Sequence, residues 1–199
     1  MRKLLIILVA MMALSSVARA DDGAQSGVKR VKAFVEKLGR YEVKFNVLAG
    51  ELIYVGEYSV DGDSYYIKMD NIEVYSNGKE RYEVDRERKE VSIDVVDQSS
   101  TNILDNPTRC FDFAEKDYKA DLHSRKAGVL TIFLDPTDPQ QDGEIYLTID
   151  EQSGRPKKIL YVMYDDEIEV SIDSIKSREE PIKRFDKSAY KGYEMVDFR

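Results

Sequence analysis

The chain has 199 residues and a formal charge of −8, which allows one domain with a core of its own. The acidic balance argues against nucleic acid, whose phosphates would be repelled, and against electrostatic docking on anionic lipid. A single cysteine, Cys110, excludes an internal disulfide and reads as a buried core thiol.

In chain order, Arg2 and Lys3 precede an uncharged apolar run over residues 4–14, and Ala18-Arg19-Ala20 follows as a small-x-small cleavage pattern. The run is shorter than the roughly twenty residues needed to span a bilayer. Residues 1–20 are therefore expected to be a signal peptide and 21–199 a single exported domain. No cysteine follows the apolar run, so release into the periplasm as a soluble protein is expected. Removal of Arg2, Lys3 and Arg19 takes the formal charge to −11. Next comes an amphipathic helix with Ser26 as N-cap. Val28, Val31, Val35 and Leu38 recur at helical spacing, Phe34 lies beside them, and Gly39 stops the helix.

From Tyr41 the period becomes two. Tyr41, Val43, Phe45 and Val47 alternate with polar residues, as half-buried strands do. Similar sets follow at Leu52-Tyr54-Tyr58-Val60, Tyr65-Ile67-Met69, Ile72-Val74, Tyr82-Val84 and Val91-Ile93-Val95. Asp61-Gly62 and Asn77-Gly78 are hairpin signals. Residues 97–117 break the alternation, and Asn106-Pro107-Thr108 predicts a short helix with Cys110, Phe111, Phe113 and Ala114 on its apolar side. Strands resume at Leu130-Ile132-Leu134, Ile145-Leu147-Ile149, Ile159-Tyr161-Met163 and Ile168-Val170-Ile172, with room for a last one at Tyr193 to Val196. About eleven strands with two or three short helices describe a meandering antiparallel sheet. So little helix leaves room for a cavity over one face, although such a sheet could equally fold on itself as a sandwich.

Chemical signatures are missing. The chain has no Gly-x-Ser-x-Gly, phosphate loop, zinc-ligand spacing or nucleotide fingerprint. Asp165-Asp166-Glu167 and Asp61-Gly62-Asp63 lack the twelve-residue calcium pattern and read as solvated turns. With 38 carboxylates, adjacent pairs such as Glu179-Glu180 occur by chance and identify no glycosidase. No enzyme activity, metal or cofactor is expected.

Four segments together resemble the LolA family of periplasmic outer-membrane lipoprotein carriers. Tyr41-Glu42-Val43-Lys44-Phe45 is similar to that family's strand after the first helix, and Ser76-Asn77-Gly78-Lys79 to its Ser-Asp-Gly-Lys hairpin. Thr131 to Pro136 followed by 145–150 resembles a later hairpin, and 185–187 through 192–197 its C-terminal segment. Two features depart from the family. No tryptophan follows the Gly-Lys hairpin, and Asp61-Gly62-Asp63 stands near where members carry a lid-latching arginine. The resemblance implies an antiparallel incomplete (half) β-barrel with a helical lid over an apolar interior, and a shuttle of lipoproteins from inner to outer membrane. On that reading the acyl cavity is lined by Phe45, Val47, Tyr54, Tyr58, Tyr65, Ile67, Met69, Ile93, Leu147 and Tyr161, and the lid's underside by Phe34, Leu38, Phe111 and Phe113. The implied partners are lipoprotein acyl chains or another lipid, an inner-membrane release machinery and an outer-membrane acceptor, with the carrier a monomer. The alternative is a periplasmic lipid-binding sensor or interaction protein on the same fold, without transport.

Overall fold

The computed structural model describes residues 23–109, 111, 112, 114, 117–138, 143–164 and 166–199. The expected signal peptide, Cys110 and Phe113 lie outside these. Helix α1 covers 23–38 and is the only α-helix of any length among the described residues. Ser26 lies within it, not at its N-cap, and accepts a hydrogen bond from Arg30 one turn later (2.7 Å). Gly39 ends it with φ +65°, donating its N–H to the Glu36 carbonyl. The second expected helix opens with a 3₁₀ turn, Pro107–Arg109, and the rest of it falls partly outside the described residues.

The strands are β1 (Tyr41–Ala49), β2 (Leu52–Asp61), β3 (Ser64–Met69), β4 (Ile72–Ser76), β5 (Glu80–Asp85), β6 (Glu90–Val95), β7 (Tyr118–Lys126), β8 (Val129–Pro136), β9 (Glu144–Asp150), β10 (Pro156–Met163), β11 (Asp166–Ser177) and β12 (Glu194–Asp197). They form one open twelve-stranded sheet in the order β12-β6-β5-β4-β3-β2-β1-β11-β10-β9-β8-β7. Two antiparallel meanders, β1–β6 and β7–β11, meet where β1 pairs with β11. The one parallel pairing adds β12 to β6.

Alternation gives the sheet an apolar inner face. Tyr41, Val43, Phe45 and Val47 share it with Tyr58 and Val60, with Tyr65 and Ile67, and across β1 with Val170, Ile159, Leu147 and Ile132. Phe45 lies over its cross-strand partner Gly56, where an added Cβ would come within 2.5 Å of the ring. Helix α1 covers one end of this face with Ala24, Val28 and Val31. Its backbone comes close to β8 because Gly27 has no side chain; a Cβ there would sit 2.6 Å from Ile132.

The apolar side switches along the sheet. On β5 the inner positions are Arg81 and Glu83, in register with Ser76 and Val74, and they form an ion pair (2.8 Å). Tyr82 and Val84 point to the outer face, as do Tyr66, Tyr75, Val91 and Ile93. Residues 182–197 cover that outer patch. Phe185 stacks on Tyr82 (4.2 Å between centroids) and on Tyr190 (5.6 Å), and the Tyr75 and Tyr190 hydroxyls meet at 2.7 Å.

Under this tail lies Glu73, an outer-face residue of β4 that is only 3% exposed. Its carboxylate accepts hydrogen bonds from Lys183 (2.7 Å), from Tyr66 (2.6 Å) and from the Arg86 guanidinium. Burial pushes its pKa up, but the bonds from Lys183, Tyr66 and Arg86 outweigh that and hold it at about 2. Tyr66 is driven up by burial and by its bond to Glu73, so it stays a donor.

Candidate functional site

Between β6 and β7 the chain leaves the sheet and crosses the inner face. This strap, residues 97–109 with 111 and 112, plugs the face with Ile103, fully buried, and with Phe111. Tyrosines of the sheet hold its backbone. Tyr65 on β3 donates to the Asp105 carbonyl (2.9 Å). On β10 the Tyr161 hydroxyl accepts from the Ile103 N–H (3.2 Å) and donates to the Thr101 carbonyl (3.3 Å). Tyr118 on β7 meets the Thr101 hydroxyl at 3.4 Å. Burial raises the Tyr65 pKa, so this hydroxyl remains protonated and able to donate.

These contacts tie the two meanders together across the inner face. Tyr65 and Tyr118 stand on strands seven steps apart in the sheet, yet both reach the short segment 101–105 of one strap.

Two covers leave part of that face open. At the end where α1 packs, inner side chains are buried. At the opposite end, marked by the β1–β2, β3–β4 and β10–β11 turns, Tyr54, Met69, Ile72 and Ile168 are only partly covered, while Leu52 and Met163 are exposed. Pairing places them together: Tyr54 is opposite Val47, Met69 opposite both Gly56 and Ile72, and Ile168 opposite Ala49 and Tyr161. They make a shallow apolar trough continuous with the core. A second opening of about 590 Å³ runs beside α1, with Phe34 and Leu38 on its floor and Arg30 and Lys37 at its rim. A third, of about 220 Å³, separates the end of α1 from the strap at Val35 and Phe111.

The expected cavity residues fall into three groups. Tyr54 and Met69 lie in the open trough. Phe45, Val47, Tyr58, Tyr65, Ile67 and Leu147 are buried beneath the covers, and Tyr161 joins them with its hydroxyl on the strap. Ile93 is a correction: it faces the outer side, packed with Tyr82 beneath the C-terminal tail, because the apolar side switches at β5. Of the expected lid, Phe34 and Leu38 on α1 and Phe111 on the strap pack against the inner core. The trough residues Leu52, Ile72, Met163 and Ile168 were not among the candidates, although each belongs to an apolar alternation. Asp61, near the position of the family's latching arginine, itself pairs with Arg40 just after α1 (2.9 Å).

Among the described residues no group of histidine, cysteine, aspartate and glutamate side chains could hold a metal, and no helix is long and apolar enough to cross a membrane. The open sheet with its helix can be compared with known folds. It shares its fold with a Thermus thermophilus protein. That protein, described as an uncharacterized conserved protein, matches with a TM-score of 0.56 at 9% identity, covering 87% of this chain and 98% of its own. A LolA superfamily protein from Nitrosomonas europaea matches with TM-score 0.39 and 11% identity, covering 79% of this chain and 94% of that one. The MucA/MucB complex of Pseudomonas aeruginosa matches at 0.40 and 17%, covering 79% of this chain and 59% of the matched one. In that complex the chain spans about three fifths of the protein it matches. No family model matches the sequence, and neither does any curated protein.

Proposed function

We propose that this chain is an exported, non-enzymatic lipid-binding protein of the periplasm. Its open sheet acts as an incomplete barrel that holds acyl chains of lipoproteins and carries them between membranes. The observation that carries this reading is the uncovered apolar trough, continuous with a core whose other cover is a strap held through tyrosine hydroxyls. A chain of sixteen carbons exposed to water costs on the order of 12 kcal/mol, at about 0.8 kcal/mol per methylene. A carrier must shield that surface and still release it. Apolar contacts without direction suit both needs, because no single strong bond has to break. Entry beneath the strap exchanges Ile103 and Phe111 for ligand methylenes, so the apolar area buried changes little and only the few strap hydrogen bonds are lost.

The test is release from membranes. Protein added to spheroplasts should appear in the supernatant in a one-to-one complex with lipoproteins that retain their acyl chains. A supernatant without lipoprotein, while a known carrier works on the same membranes, would refute transport. If a fluorescent fatty acid still bound the protein, the sensor reading on the same trough would take its place.

A further inference from the structure

Among the described residues eight large apolar side chains are exposed, and six of them cluster at one end of the sheet: Leu48, Leu52, Ile53, Val55, Met163 and Tyr164. Four belong to the β1–β2 hairpin and two to the adjoining β10–β11 turn, brought alongside by the β1–β11 pairing. We propose that this end is a wedge that inserts shallowly into the surface of a zwitterionic lipid bilayer.

The argument rests on shape before hydrophobicity. Neighbouring residues of a strand point to opposite faces. Leu52 pairs with Ala49 on the inner face, whereas Ile53 pairs with Leu48 and Val55 with Asn46 on the outer face. The tip is therefore apolar on both sides, at 59% exposure for Leu52 and 70% for Ile53. A single protein surface can cover one side of such a tip, but a fluid apolar medium covers both. On the β3 side the hairpin also projects, while on the other side β11 runs alongside β1 to its end. The hairpin's last pairing with β3 is Gly56 with Met69, which leaves residues 52–55 beyond the neighbouring strand, about 13 Å of chain. The edge left open is shorter than a typical strand, too short to template one from another molecule. Its backbone still needs water, so the tip stays at the headgroup boundary.

Charge selects the partner. Around the tip stand Glu51, Asp70, Asp166 and Glu167, while Glu169 beside Leu48 is paired with Lys158 (3.1 Å). A second copy meeting this end about a two-fold axis would set one acidic collar against another. Anionic lipid would be repelled in the same way, which leaves a surface of zwitterionic headgroups.

Leu52 and Met163 belong to both the wedge and the trough, whereas Ile53 and Val55 lie on the outer face, so changing these two tests the wedge without touching the trough. Residues 21–199, which include every described element, are tested against phosphatidylcholine vesicles by flotation. The chain holds no tryptophan, so Ile53→Trp provides a single reporter whose emission should shift blue and be quenched by shallowly brominated lipid. The double variant Ile53→Asp/Val55→Asp should lower vesicle partitioning at least tenfold while binding a fluorescent fatty acid as before. Val95→Asp, at an exposed apolar site far from the tip, should partition as the unaltered protein does. Replacing half the lipid with phosphatidylglycerol should weaken binding, and added salt should restore it. The proposal is overturned if the unaltered protein does not float with vesicles, if the double variant binds equally well, or if light scattering shows that the tip mutations abolish a dimer.

Discussion

The strap over the inner face and the tail over the outer face are both irregular chain laid across a sheet, yet they are fastened by different chemistry. The strap is held over the inner face by neutral hydroxyls of Tyr65, Tyr118 and Tyr161, most of them on its backbone, above apolar plugs, and at its end by a partly exposed ion pair, Arg109 with Asp117 (2.9 Å), of the kind that contributes at most about 1 kcal/mol. The tail is riveted by a buried carboxylate, Glu73, shared among Lys183, Arg86 and Tyr66, beneath stacked rings of Tyr82, Phe185 and Tyr190. A neutral hydrogen bond is worth about 0.5–1.5 kcal/mol, and one to a charged group about 1.5–3 kcal/mol. The cover that must move for the proposed function is the one held more weakly. The cover that only completes the fold is the one held by charge.

Mutations can break that contrast. The largest effect is expected from Phe185→Ala, which empties the slot between Tyr82 and Tyr190; urea unfolding should show a loss of about 2–4 kcal/mol. Glu73→Gln keeps the volume and removes the charge, and should cost about 1.5–3 kcal/mol in the same measurement. That variant should also lose a pH dependence. The folded pKa of Glu73, about 2, lies below its ordinary 4.5, so its stabilising contribution is complete above pH 4.5 and is lost as pH falls through 2. Acid titration of the unaltered protein should therefore show a stability loss in that window, and Glu73→Gln should flatten part of it. Tyr65→Phe is the mildest change, removing one donor to the strap at a global cost of about 0.5–1.5 kcal/mol. Its sharper readout is local: amide exchange around residues 101–107 should quicken roughly fivefold to tenfold, with little change near Tyr190. A Tyr65→Phe protein that loosened the tail as much as the strap would refute the separation of the two covers.

Much of the sheet was legible because period-two alternation and turn residues are local signals. Gly62 and Gly78 do occupy positive-φ turns, and β1 runs as its Tyr-x-Val-x-Phe-x-Val pattern requires. Strand β7 was missed because it is an edge strand: past Leu122 it is His, Ser, Arg and Lys facing solvent, so alternation fades. The error at Ile93 has a different origin. Alternation within one strand says which residues share a face, but not which face of the sheet that is. Only the register from Tyr66 through Tyr75 and Tyr82 reveals it. Glu73 gave no signal, since a glutamate between Ile72 and Val74 reads as an ordinary solvent-facing residue. The charges that bury it come from Arg86 and from Lys183, more than a hundred residues downstream. In the site, Tyr54 and Met69 were reachable from pattern, but which apolar residues stay uncovered depends on where the strap lies.

The seam between β1 and β11 has a consequence for the order in which the molecule is made. Residues 41–49 pair with β2 at once but find their second neighbour only at 168–177, and β6 acquires its outer neighbour only from 194–197. A chain emerging N-terminus first, from a ribosome or a translocation pore, presents β1 to β6 as a meander with both outer edges unpaired until nearly its last residue is through. Contacts so distant in sequence make folding slow, on the millisecond-to-second scale of all-β domains. The sheet thus stays open while the chain is being threaded and closes only when residues 168–177 and 194–197 are free to pair.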